Sequence, residues 1–256
     1  MYDQIARFYD LTHANLTDDI PLLLKLAAAT DGPLLELGCG SGRLLLPLAQ
    51  AGHTVTGLDL SAEMLARART RVGQLATAVQ NRITLHQADM TSFSLPDAPP
   101  FGLAIIPYNT LFHLDTAQVV ATLRQVKNYL GANGRLFIDV ANPVDIASTP
   151  EDNLLSLENV LTDPETGELI VHLASNRLDT AEQTLHITWI YDVSAPDGGP
   201  VNRTVAQGTY HYRYPHQIEL LLQEAGYKQL HLWGDYDQSP YEEDSNRLLV
   251  LATKKD

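Results

Sequence analysis

The chain has one cysteine in 256 residues. A disulfide framework needs at least a pair, so that class of stapled scaffold is excluded, and a lone thiol suits a reducing compartment. Positive charge is scarce too: 17 Lys and Arg stand against 31 Asp and Glu, a formal net charge of −14. No stretch gathers lysines and arginines into the cluster that a phosphate backbone requires, which argues against DNA or RNA as a partner. Long apolar runs are missing, so no membrane span is expected, and the N-terminus carries acids where a secretory signal carries bases before an apolar run. His172, His186 and His211 lack metal-ligand spacing, and no metal is expected. A soluble, cytoplasmic protein is the expectation. Its length suits one α/β domain with an insertion and a substantial buried core.

What is present is concentrated in residues 33 to 64, PLLELGCGSGRLLLPLAQAGHTVTGLDLSAEM. An apolar run, Leu34 to Leu37, meets glycines at alternate positions, Gly38, Gly40 and Gly42, and then an apolar segment of helical spacing. This reads as strand, tight turn, helix. Glycines so placed let the backbone take positive φ and let a ligand lie against main-chain N–H groups. The next run, Thr54 to Leu58, ends in Asp59, and the C-terminal ends of adjacent parallel strands line one crevice. Asp59 therefore faces whatever the glycines hold. A carboxylate can accept from both hydroxyls of a ribose diol, so a nucleoside is the natural guest. The dinucleotide motif G-x-G-x-x-G/A requires a small residue where this chain has Arg43, which argues against a nicotinamide cofactor. A plain turn with Asp59 capping the helix that opens at Ser61 is the structural alternative.

The strings ELGCGSGR and GLDLSAEML together resemble class I S-adenosylmethionine-dependent methyltransferases. The resemblance implies a Rossmann-like methyltransferase fold: α/β, with a doubly wound, seven-stranded, mostly parallel sheet. It implies S-adenosylmethionine as cofactor, with S-adenosylhomocysteine as product. Carried over by position, the cofactor site takes in Glu36, Gly38, Cys39, Gly40, Gly42, Arg43, Asp59, Leu60 and Met64, with Asp59 on the ribose. Asp89 and Met90, which follow the third strand, inherit the adenine. Cys39 itself reads as a small filler rather than a nucleophile, since no partner for a thiolate can be identified. The Asn/Asp-Pro-Pro-aromatic tetrapeptide of amino-adenine and amino-cytosine methylation is absent.

Residues 1 to 30 read as an amphipathic helical arm over the cofactor site. The pattern Tyr2, Ile5, Ala6, Tyr9, Asp10 resembles the arm of small-molecule methyltransferases, which implies a tyrosine near the sulfonium. Tyr9 is the first choice, as cofactor contact and catalytic group, and Tyr2 the second; packing of the arm onto the sheet is the alternative for both. Residues 61 to 78 read as one long helix, 82 to 87 as strand three and 101 to 106 as strand four. The segment Pro107 to Leu114 follows. Its Asn-x-x-x-His-Leu string resembles that of glycine and deoxysugar N-methyltransferases, which brings Tyr108 and Asn109 to the cofactor. His113 is the candidate general base, with an unperturbed pKa of about 6.5. A helix over 116 to 130 is expected to stop at Gly131, and Asn133-Gly134 to turn into strand five.

Residues 151 to 213 read as an antiparallel β insertion of three or four strands after strand five, serving as a lid or as the surface of a homodimer. Trp189, Tyr191, Tyr210, Tyr212, Arg213 and Tyr214 are candidate walls of an acceptor pocket, with packing the alternative. Residues 31 to 150 and 214 to 256 form the main domain, whose last strand is expected antiparallel between five and six. The resulting expectation is methyl transfer to a small molecule, at nitrogen before oxygen. O-methylation, or a non-catalytic nucleoside-binding or dimerising module, are the alternatives.

Overall fold

The computed structural model describes residues 1–149 and 154–255. Helices α1 (Tyr2–Thr12) and α2 (Ile20–Ala28) precede β1 (Leu34–Leu37), α3 (Leu45–Gln50), β2 (Val55–Asp59), α4 (Ala62–Gly73), the single turn α5 (Thr77–Gln80) and β3 (Ile83–Gln87). Then come β4 (Phe101–Ile106), α6 (Thr116–Tyr129), β5 (Leu130–Ala141) and the short α7 (Pro143–Ala147). Four strands follow: β6 (Leu155–Thr162), β7 (Leu169–Asp179), β8 (Thr184–Ser194) and β9 (Asn202–His211). The described chain closes with α8 (Pro215–Glu224), β10 (Tyr227–Trp233) and β11 (Arg247–Lys254).

Seven strands form one sheet in the order β10-β11-β5-β4-β1-β2-β3. It is parallel except at β11, which runs antiparallel between β10 and β5, as expected. At the centre of the sheet both faces are covered, so β1, β4 and the second half of β5 are buried runs whose alternate residues enter different cores, while the edge strands β3 and β10 are partly exposed. Leu35, Leu37, Ala104, Ile106, Leu136 and Ile138 pack under α6 and α8, while Leu34, Leu103, Ile105 and Phe137 pack against α2 and α3. The strand order reverses between β1 and β4, and in such sheets the crevice beyond the strands' carboxyl ends at that point takes the ligand.

The strands of the insertion form a separate antiparallel sheet, β6-β7-β8-β9. Its inward face packs on α1 through Ile5, Phe8, Ile170, Tyr191, Val193 and Ala206. The expected domain boundary at 150/151 lies outside the described residues. Among the described residues no helix is long and apolar enough to cross a membrane.

Three local expectations need correction. Only α1 forms an arm: α2 buries Leu22, Leu23, Leu26 and Ala27 in the main core. The helix expected over 61 to 78 stops at Gly73, and the four-residue α5 follows before β3. Gly131 is not a left-handed helix stop. Leu130 is already extended and pairs with Phe101, so the chain passes from α6 directly into β5. Gly134 is needed there for space, because a Cβ would lie 2.9 Å from the Gly131 nitrogen.

Candidate active site

The site begins with the turn after β1. Gly38 and Gly40 have φ of 72° and 53°, in the left-handed region that favours glycine. Their reasons differ. A Cβ on Gly38 would come within 2.5 Å of Thr110, whereas one on Gly40 would meet nothing within 4 Å, because that face opens into a cavity. Asp59 bridges this turn to the next helix: Oδ2 accepts from the Gly40 N–H and Oδ1 from the Ser61 N–H, each at 2.8 Å. Ser61 then caps α4, its hydroxyl accepting from the Met64 N–H at 3.1 Å. Each Asp59 oxygen keeps a further lone pair. Burial raises the pKa of Asp59 above the ordinary aspartate value.

The cavity measures about 280 Å³. Gly38, Gly40, Asp59, Leu60, Met64, Asp89 and Met90 line one side, and Tyr2, Tyr9, Tyr108 and His113 the other. Thr110, Leu114 and Gln118 also line it and were not foreseen. The tight Gly38–Thr110 contact, with Gln118 at the first turn of α6, explains their presence; only the proximity of this segment to His113 hinted at it. Asp89 Oδ1 accepts from the Thr91 N–H at 2.8 Å and the Thr91 hydroxyl at 2.7 Å, which fixes its carboxylate at the wall.

The far wall depends on α1. Asp3 accepts from the Ser61 hydroxyl at 2.6 Å, and Asp10 takes the Ser41 hydroxyl together with Arg67 and Arg71, so the helix is pinned across the glycine turn at both ends. Tyr2, ranked behind Tyr9 by the sequence, is the tyrosine whose hydroxyl meets His113 Nε2, at 2.8 Å. Tyr9 stacks on His13 with ring centroids 4.0 Å apart and lies edge-on to Tyr2. Burial, then the neighbouring His211, pushes the His113 pKa down to about 4. Burial likewise raises both tyrosines above the usual phenol value.

Tyr108 and Asn109 sit at φ of 38° and 66°, conformations that L side chains rarely adopt. Asp139, on β5, holds them there. Its backbone carbonyl accepts from the Asn109 N–H at 2.9 Å, and its carboxylate accepts from the Tyr108 N–H at 3.2 Å, the Tyr236 hydroxyl at 3.0 Å and the Arg247 guanidinium at 2.5 Å. Arg247 also covers the Tyr108 ring at 5.0 Å. The sequence brought Asp139 to the crevice edge without this role.

Five expected cofactor residues do not line the cavity. Glu36 lies beneath the turn, 2% exposed, and its Oε2 has no partner; burial lifts its pKa to about 8. Cys39 turns into the core, its sulfur against Gly57, and burial raises its thiol pKa, in line with a filler. Gly42 packs toward Leu46. Arg43 turns away to clasp buried Asp19 through two nitrogens, at 2.7 and 2.6 Å. Asn109 spends its side-chain oxygen on the Ala141 N–H at 2.6 Å. The motif gave their positions along the chain but not the direction of their side chains.

A second chamber of about 230 Å³ adjoins the first between α1 and the insertion sheet, and Tyr2, Tyr9 and Tyr108 form the shared wall. Of the aromatic candidates, Trp189, Tyr191 and Tyr210 line it. The others do not. Tyr212 is core, Arg213 donates to the Leu114 and His211 carbonyls, and Tyr214 precedes α8.

Strand order, glycine turn and bridging acid define the α/β class I methyltransferase architecture. Residues 34–134 match the family described as a methyltransferase domain. The chain is 30% identical over 144 residues to a dTDP-3-amino-3,6-dideoxy-alpha-D-glucopyranose N,N-dimethyltransferase of Streptomyces fradiae, covering 53% of this chain and 52% of that one. It spans 52% and 60% of the length of this and a second curated relative, YqeM of Bacillus subtilis. Among solved structures, the sugar N-methyltransferase KedS8 of Streptoalloteichus superimposes with a TM-score of 0.75 at 20% identity, over 100% of this chain and 93% of that one. CalS10 of Micromonospora, an amino pentose methyltransferase solved with S-adenosylmethionine bound, gives 0.65 at 19%, over 91% and 87%. Two features of this chain fit such a nucleoside: the open face at Gly40, and the Asp59 carboxylate, which lines the same cavity with acceptor capacity left for a diol. Among the described residues no cluster could hold a metal ion.

Proposed function

We propose that the protein transfers a methyl group from S-adenosylmethionine to the nitrogen of a small-molecule amine. The observation that carries this is the joining of two spaces: a glycine-and-aspartate cradle on one side, an aromatic chamber on the other, and a wall of three tyrosines between them. Gly38, Gly40 and Asp59 would hold the nucleoside with its ribose on Asp59, and Asp89 and Met90 would flank the base. When bound, the cofactor supplies a methyl on a positively charged sulfur. The tyrosine faces of Tyr9 and Tyr2 favour positive charge at that place. Transfer needs the acceptor lone pair in line with the C–S bond, about 3 Å from the carbon, in a space closed to water. The acceptor nitrogen would take the methyl with the bonding pair left on sulfur, and the resulting ammonium would lose its proton to solvent once the product leaves the closed space.

His113 takes a different part from the one its residue type suggests. An imidazole with a pKa of about 4 is neutral at pH 7 and a poor resting place for an ammonium proton. It serves instead as the acceptor that fixes the Tyr2 hydroxyl, in the tautomer with Nε2 unprotonated. This favours nitrogen over oxygen, because an amine already carries its lone pair while an alcohol needs a base. In this reading α1 is the arm over the cofactor and the insertion sheet is the roof over the acceptor. The exposed side of β6, with Leu155, Leu157 and Val160, offers a surface for a homodimer, and the lone buried thiol suits the cytoplasm. Calorimetric titration with S-adenosylmethionine is the test: saturable one-to-one binding is expected, and its absence would remove the proposal.

A further inference from the structure

We infer that the second chamber receives an amine free of phosphate and carboxylate, whose far end carries a hydrogen-bonding group held by Asn159 and His172. The inference rests on the methyl-transfer reading and names the acceptor class for it.

The first observation is His172. It is 8% exposed, it lines the chamber, and neither ring nitrogen has a partner. Buried polar atoms are normally bonded, so an imidazole left with both nitrogens idle marks a place where something polar binds. It is rigidly set, stacked on Tyr191 with centroids 4.5 Å apart. Strand pairing explains the arrangement: Asn159 on β6 faces His172 on β7, which faces Tyr191 on β8, so the three share one row across the sheet. Asn159 adds an amide to the same wall.

The second observation is charge. No lysine, arginine, aspartate or glutamate is among the residues lining the chamber. The arginines around it are already matched: Arg7 with Asp163 and Glu168, Arg43 with Asp19, and Arg247 with Asp139. A diphosphate or carboxylate entering here would lose its water and find no cation, an outcome strongly disfavoured in a low-dielectric pocket. Tyrosine and tryptophan faces favour the positive charge that gathers on an amine nitrogen as it takes up the methyl. The end beside Tyr2, Tyr9 and Tyr108 therefore suits the nitrogen, and the His172 end suits a hydroxyl or carbonyl. The chain thus differs in acceptor from its Streptomyces relative, whose name specifies a nucleotide-linked sugar.

The two tryptophans make the test direct. Trp189 lines the chamber, while Trp233 packs in the core on the other face of the main sheet, so Trp→Phe at 233 leaves Trp189 as the reporter. That protein is titrated with tyramine, with a phosphate-free methyl glycoside of a 3-amino sugar, and with thymidine diphosphate. Saturable emission changes with at least one amine and none with thymidine diphosphate are expected, and His172→Phe and Asn159→Leu should each weaken the amine at least fivefold. Two variants are used so that one that fails to fold leaves the other. Silence with both amines, tighter binding of thymidine diphosphate, or losses below fivefold in the folded variants overturns the inference. Calorimetry with S-adenosylmethionine on the same preparations separates the two claims: intact cofactor binding beside a failed chamber result refutes the acceptor class alone.

Discussion

The cradle and the roof of this site are built by opposite means. Gly40 and Asp59 are 19 residues apart and meet through a backbone N–H, within the contiguous segment of β1, glycine turn, α3, β2 and α4. Tyr2 and His113 are 111 residues apart and meet side chain to side chain, and the chamber behind them draws on α1, β6, β7, β8 and β9. A backbone-built cradle needs glycine and an acid at fixed places, while a side-chain roof needs only the right shape once distant strands have packed. The cradle can thus hold a constant ligand while the roof changes with the acceptor.

The largest way to break this comparison lies at the joint between the two regions. Asp139 is 1% exposed and its partner Arg247 is largely buried. Asp139→Ala leaves that guanidinium uncompensated and releases the strained turn at Tyr108 and Asn109. A loss of about 3–5 kcal/mol in unfolding free energy is expected from urea titration. The double change Asp139→Leu with Arg247→Met should cost less than the single one, because no unpaired charge remains. A single-variant loss below about 1 kcal/mol would mean the network does not hold the turn.

The same contrast explains what could be read from the residues alone. The individual strands and the antiparallel insertion of three or four strands follow from apolar periodicity and turn residues, which act locally, whereas the seven-stranded sheet and its antiparallel last strand follow from the family resemblance. The wall positions of Gly38, Gly40, Asp59, Asp89 and Met90 follow because strand ends in a parallel sheet share one edge, and those of Leu60 and Met64 follow from the resemblance. Side-chain direction does not follow from the motif: Arg43 leaves the cavity because Asp19 lies behind it, and Cys39 leaves because Gly57 makes room for its sulfur. Tyr2 could not be set above Tyr9, since both lie on one helix and only packing against β9 decides which reaches His113. His172 looked unremarkable for the same reason, because its row across the sheet depends on strand register.

Next in size is the cradle itself. Asp59→Ala should raise the dissociation constant for S-adenosylmethionine by one to three powers of ten, about 1.4–4 kcal/mol, with a smaller effect on folding. Unchanged affinity in a folded variant would take the ribose from Asp59. His113 gives an effect of about 2 kcal/mol that appears only in acid. Its folded pKa of about 4 lies below the unfolded value of about 6.5, so the unfolded chain takes up the proton first as pH falls. Its influence is absent above pH 7 and increasingly destabilising from pH 6.5 toward 4. Stability measured at pH 7.5 and pH 5 should therefore fall less in His113→Gln than in the unaltered protein. Equal falls would place His113 in a more exposed setting.

The smallest expected effect tests the roof most finely. Tyr2→Phe keeps the ring on the shared wall and removes only the hydroxyl, which bonds His113 and also Tyr210, neutral hydrogen bonds of about 1 kcal/mol each. If the bond to His113 aligns the tyrosine wall, kcat should drop about fivefold, with cofactor affinity held by Gly38, Gly40 and Asp59 almost unchanged. His113→Phe should give a similar drop, and adding it to Tyr2→Phe should cost little more, because the Tyr2–His113 bond is already gone in the single variant. If His113 were instead the base, its loss would exceed that of Tyr2→Phe by a factor of about a hundred or more, and the two would add. A double-mutant cycle in kcat, run near pH 8 where the imidazole is neutral, therefore decides between an aligning acceptor and a proton-transferring one.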